Sequence, residues 1–406
     1  MLESLRAQVG LLATMQALVL TNNVTLVAIT GLAGFQLADD KLMATLPVTG
    51  YVLGGAVWAM PAAAFMRRFG RRAGYSVGSL AGMAGAFAAW WAMTQGSLLF
   101  LCMATFVTGL YSAFAASLRF AAADAADAWR PTFKARAISL VLTGGIVGGV
   151  IGPEISKWSR TWLPTQFSGS YLTLAGFALL SLLLAQLLRL PAGAQAAQAA
   201  ADPRPPRPLP EILRQPACWS AILTAAFAYG IMNLLMVATP LAMEVCKHPY
   251  ALAALVLEWH VIGMFAPGLI TGSLIQRFGT LPIIVTGCLL MLGCTAVALS
   301  GIDLMQFLIA LTLLGVGWNF MYTGATTLVT GTYRPSEKNK VQGFMDLCVF
   351  TTMVTSSASS GAMLLVNGWS LLNLLALPFV VLVLGCILWL APRIGWASGR
   401  VAARAA

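Results

Sequence analysis

The chain has 406 residues, of which 59% are apolar and only 9% charged, and its mean hydropathy is +0.83. A soluble domain carries about 25% charged residues, so a soluble enzyme, a disordered protein and a nucleic-acid-binding module are excluded. The net charge of +11 comes from 24 Lys and Arg against 13 Asp and Glu. In a membrane protein such an excess collects in cytoplasmic loops and reports orientation.

In chain order, the N-terminus MLESLRAQ runs into an apolar stretch without a small-residue cleavage site, which predicts a retained first helix. Apolar windows separated by turn and charge signals predict twelve spans, at 9–34, 42–65, 73–94, 97–122, 137–156 and 168–190, then at 216–243, 250–275, 281–300, 304–330, 342–366 and 369–391. Between the sixth and seventh, residues 191–213 read PAGAQAAQAAADPRPPRPLPEIL, rich in Ala, Pro and Arg, with no apolar face. That composition predicts an exposed linker. The expected organisation is a six-helix bundle over 1–190, a cytoplasmic linker over 191–213 and a second six-helix bundle over 214–406.

With the N-terminus placed inside, 19 Lys and Arg fall in inside segments and four (Lys41, Lys157, Arg160 and Lys247) in outside ones, Arg119 lying within span 4. The asymmetry puts both termini in the cytoplasm. The halves also echo one another. Arg67-Arg68-Phe69-Gly70-Arg71 follows span 2, and Gln276-Arg277-Phe278-Gly279-Thr280 follows span 8. Trp129-Arg130-Pro131-Thr132, with Lys134, follows span 4, and Tyr333-Arg334-Pro335-Ser336, with Lys338, follows span 10. Two loop signatures in the same order on the same side predict two parallel six-helix repeats with a solute path between them near the bilayer midplane.

On these residues the chain resembles the major facilitator superfamily. Gly272-Ser273-Leu274-Ile275-Gln276-Arg277-Phe278-Gly279 fits that family's loop signature, and Arg68-Phe69-Gly70-Arg71-Arg72 fits its end, while Arg67 and Gln276 stand where the family has Asp. The resemblance implies an all-α membrane transporter of two pseudo-symmetric bundles, and no enzyme. Span 5 carries Gly144, Gly145, Gly148, Gly149, Gly152 and Pro153, which permit close helix packing. Leu118-Arg119-Phe120-Ala121-Ala122-Ala123-Asp124 and Gly315-Val316-Gly317-Trp318-Asn319-Phe320, with the sulfur pairs below, resemble the CcoA-type copper importers of bacteria, which supply copper for cytochrome oxidase assembly.

Met232 and Met236 in span 7 are four apart, as are His260 and Met264 in span 8, so each pair shares a helix face. Counted inward from the short loop between the spans, the pairs reach similar depth. Thioethers suit Cu(I), and imidazole also suits copper; Met is equally a core filler. The sequence-based expectation is therefore a copper importer of the bacterial cytoplasmic membrane, using Met232, Met236, His260 and Met264 as the metal-binding surface. No cofactor is expected, the lipid bilayer is the setting, nucleic acid is excluded and a monomer is expected. The alternative is import of an organic solute such as riboflavin, for which twelve Trp and eight Tyr offer stacking surface. Glu258, Asp346, Arg119, Asp124, Asn22, Asn23 and the loop trio Met243, Cys246 and His248 are further polar or soft candidates. The seven cysteines form no CxxC pair, and six of them lie in apolar runs.

Overall fold

The computed structural model describes residues 5–129, 134–190, 206–334 and 337–396. Arg130, Pro131, Thr132, Pro335 and Ser336 of the second loop signature, and residues 191–205 of the linker, lie outside them. The chain is all helical: α1 Leu5–Leu37, α2 Leu46–Gln95, α3 Leu98–Ala115, α4 Leu118–Trp129, α5 Lys134–Ser159, α6 Ser168–Gln186, the short α7 Leu209–Leu213, α8 Pro216–Val245, α9 Tyr250–Phe265, α10 Gly268–Phe278, α11 Thr280–Leu299, α12 Leu304–Thr330 and α13 Lys338–Ile394. At a rise of 1.5 Å per residue, α1 is about 50 Å long, ample for a hydrocarbon core of about 30 Å.

Nine stretches of the described residues are long and apolar enough to cross a membrane. The last of them is two spans, because α13 breaks at Gly368 (φ 76°, ψ 172°). The second half of α2 and the glycine-rich α5 complete the twelve. Spans 4 and 8 are each broken within their length, between α3 and α4 and between α9 and α10.

The repeat is written in backbone geometry. Gly70 interrupts α2 at φ 85°, ψ 163°, and Gly279 separates α10 from α11 at φ 99°, ψ 163°. Both are the glycine of an Arg-Phe-Gly loop, and both occupy a region open essentially to Gly alone. Neither a crowded neighbour nor a lack of space is involved at Gly70, where a Cβ would meet nothing within 4 Å. Gly70→Ala and Gly279→Ala should therefore each cost about 1–3 kcal/mol through backbone strain, read as lowered thermal stability in detergent. Gly10→Ala, in a helix with nothing within 4 Å of its Cβ, should be neutral or stabilising.

Two compact units emerge. The first comprises residues 1–195, 237–262 and 357–366; the second comprises 196–236, 263–356 and 367–406. In the first, small residues bring backbones together. A Cβ on Gly144 would lie 2.5 Å from the Ala13 carbonyl oxygen, and one on Gly148 2.7 Å from the Thr21 nitrogen. The Thr25 hydroxyl then donates to the Gly152 carbonyl at 2.9 Å. Spacings of four residues thus seat one face of α5 on α1. The two sequence halves also meet inside this unit. A Cβ on Gly149 would lie 2.8 Å from Val261 Cγ1, the Tyr250 hydroxyl donates to Ser156 Oγ at 2.8 Å, and the Gly361 N–H donates to Thr45 Oγ1 at 3.3 Å.

In the second unit the end of the linker is clasped to the connection between spans 10 and 11. The Arg207 guanidinium donates to Glu337 Oε1 at 2.9 Å and to Oε2 at 2.8 Å. The Arg207 and Arg334 backbone N–H groups donate to the same carboxylate. The Glu337 side chain is fully buried. The guanidinium hydrogen bonds hold its carboxyl well below the usual carboxylate range. The sign follows from linkage: a carboxyl depressed in the folded state adds stability that is complete above its unfolded pKa, about 4.3, and is lost as pH falls below it. Melting temperature should fall from about pH 5 downward, and Glu337→Gln should flatten that slope.

Candidate functional site

Tyr229, Met232, Asn233 and Met236 sit at i, i+3, i+4 and i+7 on α8 and share a face. Within the second unit, Tyr229 meets two aromatic rings of α12 edge-on: Trp318 at 5.0 Å and 88°, and Tyr322 at 4.8 Å and 88°. Trp318 and Tyr322 are four residues apart on one helix and lie parallel, 5.4 Å between centroids and 9° between planes. Phe265, at the end of α9, completes the group 6.3 Å from Trp318. These distances are those of favourable aromatic pairs.

The break between α9 and α10 is held by α12. Asn319 Nδ2 donates to the Met264 carbonyl at 2.7 Å, and the Thr271 hydroxyl lies 2.7 Å from Asn319 Oδ1. A side chain thus satisfies backbone freed by a helix break, as irregular backbone at membrane depth requires. On α8, Asn233 Nδ2 donates to Ser356 Oγ at 2.9 Å and to the Met353 carbonyl at 3.1 Å, tying α8 to α13. Three helices are therefore fixed around the aromatic group.

One atom is unspent. Trp318 is 5% exposed, and among the described residues its Nε1–H is buried without an acceptor. Leaving such a donor unmet costs about 1–3 kcal/mol. Tyr229, Tyr322 and Phe265 are only half-buried, so the group borders accessible space. Flat aromatic faces are suited to stacking on a planar ring; the aromatic side chains and amides here supply no nucleophile–base pair.

The residues singled out in the sequence fall as follows. Met232 and Met264 are buried, at 2% and 8% exposure; Met236 is half-buried. All three belong to the second unit, whereas His260, fully buried, belongs to the first. Asn22 donates to the Leu174 carbonyl at 3.1 Å, and Asn23 accepts from the Tyr51 hydroxyl, so both tie helices together. Glu258 is half-buried. Arg119 lies over the Phe120 ring at 4.8 Å. The Asp124 side chain lies outside the described residues. In the loop after α8, burial pushes the Cys246 thiol up, which disfavours the thiolate a metal would need.

Long apolar helices in two repeats are those of a multi-pass membrane protein. Residues 11–300 match the Major Facilitator Superfamily, and the chain belongs to it. The riboflavin transporter RfnT of Brucella anthropi is 39% identical over 390 residues, covering 96% of this chain and 97% of that protein. YddS of Bacillus subtilis, an uncharacterised transporter of the superfamily, is 28% identical and covers 89% of this chain and 86% of its own. The crystal structure of a D-xylose–proton symporter superposes with a TM-score of 0.74 at 12% identity, covering 98% of this chain and 99% of that one. At that identity the likeness is one of fold.

These relationships correct the expectation of copper import. A relative matched along nearly the whole chain is a riboflavin transporter, and the comparisons support neither copper as cargo nor a copper-importer subfamily. The signal misled for a physical reason. Met pairs at helical spacing also arise from packing, because the unbranched thioether fills irregular interiors, and Met232 and Met264 are buried as such fillers are. Sequence reasoning passed over Tyr229 and Tyr322 and took Trp318 only as part of a family signature. The four-residue spacing of Trp318 and Tyr322 was the available clue.

Proposed function

We propose that the chain imports riboflavin, or a close heteroaromatic relative of it, across the bacterial cytoplasmic membrane by alternating access. The observation that carries this is the 39% identity to a riboflavin transporter along 96% of the chain. The Tyr229–Trp318–Tyr322 group supports it chemically, because a tricyclic ring with carbonyl and ring-nitrogen acceptors suits stacked faces and one free N–H donor. Met232 and Met264 are assigned to apolar packing within the second unit. The charge asymmetry supports cytoplasmic termini, and the paired loop signatures support the division into bundles 1–190 and 214–406 around a linker.

The test is uptake of radiolabelled riboflavin by proteoliposomes, with growth of a riboflavin auxotroph alongside. Saturable uptake that lumiflavin, which has the ring but a methyl in place of the ribityl chain, inhibits is the expected result. No uptake above empty liposomes, at verified insertion, would sink the proposal.

A further inference from the structure

A second candidate site lies in the first unit. Gln36, Arg160, Gln166, Phe167, Glu244 and Tyr250 line a shallow recess. They come from the end of α1, the connection between α5 and α6, and the end of α8 and start of α9. All of these lie on the same side of the membrane in the twelve-span topology. The recess encloses about 50 Å³, room for the edge of a ligand and not for a whole ring system.

Arg160 is held there without being used up. Its guanidinium lies 4.6 Å from the centre of the Tyr250 ring and 5.7 Å from that of Phe167. Its Nε is buried without an acceptor, and among the described residues the guanidinium makes no ion pair. Glu244 lines the same recess and is likewise without an ion pair among those residues. Beside them, Gln36 Nε2 donates to Gln166 Oε1 at 2.6 Å, which leaves one amide N–H₂ and one amide oxygen to spare. Phe167 adopts φ 66°, ψ −14°, and its N–H donates to the Arg160 carbonyl at 2.8 Å. A bulky residue at positive φ is strained, and such strain clusters at ligand sites.

Charge selects the ligand class. Glu244 opposes an anion and Arg160 opposes a cation, so the recess is matched to a neutral group that both accepts and donates. The guanidinium donates to a carbonyl oxygen, a carboxylate accepts from a neighbouring N–H, and the aromatic walls favour a flat ring. An imide edge, carbonyl–NH–carbonyl, meets all three.

We propose that this recess is a second binding site for the imide edge of a neutral, planar heterocycle, with Arg160 donating to one of its carbonyl oxygens and Glu244 accepting from the adjacent N–H. The proposal rests on the riboflavin reading for its natural ligand, since riboflavin carries such an edge, but its test does not. Lumichrome, a tricyclic imide without a sugar-alcohol chain, is titrated by its fluorescence against purified protein, in parallel with its N3-methyl derivative. Wild type should prefer lumichrome by about tenfold or more, and Arg160→Gln or Glu244→Gln should cut that preference to about twofold or less. Glu244 is exposed, so its variant folds even where Arg160→Gln does not. A merely structural Arg160 would change thermal stability and leave the methyl discrimination intact, which would overturn the site. So would restored uptake in the charge-swapped pair Arg160→Glu with Glu244→Arg, the mark of a gate ion pair. Discrimination that depends on Arg160, with no riboflavin uptake, would uphold the site and refute the transport reading. Riboflavin uptake with unchanged KM and unchanged discrimination in both variants would do the reverse.

Discussion

Trp318→Ala should lower riboflavin uptake at sub-saturating concentration roughly ten- to hundredfold, because stacking on one aromatic side chain is worth about 1–3 kcal/mol. The effect should appear mainly in KM, as expected where ground state and transition state share the contact. Trp318→Phe separates the two contributions of the residue. It keeps a ring opposite Tyr229 and Tyr322 and deletes the N–H that, among the described residues, meets no acceptor. A net hydrogen bond of about 0.5–1.5 kcal/mol predicts for this variant a loss of roughly two- to tenfold in apparent affinity relative to wild type. Folding should be spared, since the donor contributes no hydrogen bond before the solute arrives. If Trp318 only fills space, Phe will transport like wild type at equal membrane abundance, and the assignment fails.

The span pattern was legible because hydropathy and turn chemistry act locally. Twelve apolar windows became twelve helical spans, and the Arg-Phe-Gly echo became two glycines, Gly70 and Gly279, in the same backbone region. The breaks within spans 4 and 8 were not foreseen, since apolar runs continue through Ala116-Ser117 and Ala266-Pro267 and hide them from any window average. Pro267, lacking an N–H, was the one local signal at span 8. The cargo was legible least. Periodicity names the residues that share a face of one helix, as it did for Met232 with Met236, but it does not say which face of which other helix they meet. Tyr229 and Trp318 are 89 positions apart in sequence, and only folding sets their rings 5.0 Å apart. His260 and Met264, four apart on one span, fall into different units, so even a correct face assignment did not fix a ligand set.

Gly149→Leu should lower transport roughly five- to a hundredfold while leaving the protein in the membrane. Gly144, Gly148 and Gly152 face α1, but Gly149 is turned elsewhere: its Cβ would lie 2.8 Å from Val261 Cγ1 and 3.1 Å from Val261 Cβ, with the Ile262 nitrogen at 3.6 Å. Val261 is β-branched, stiff at χ1 and buried, so it cannot swing away as a long side chain would. The contact joins α5 to α9, one from each sequence half. It therefore forms only when the halves are closed at the end that also carries the Tyr250–Ser156 and Gly361–Thr45 hydrogen bonds. A leucine there disfavours the closed arrangement by the cost of overpacking, typically about 1–3 kcal/mol, which depletes that state roughly five- to a hundredfold. Alternating access needs the end to close once per cycle, so turnover should drop by a similar factor. Riboflavin binding measured at equilibrium should persist. Gly149→Ala should act in the same direction but less strongly than leucine, because its single methyl, 2.8 Å from Val261 Cγ1, still forces a shift but adds less bulk. The control is Gly148→Leu, which wedges α5 from α1 within one half, where Leu20 Cβ stands 2.6 Å from the new Cβ; it should reduce membrane abundance itself. Full transport by Gly149→Leu at wild-type abundance would mean that this end need not close as the structure has it.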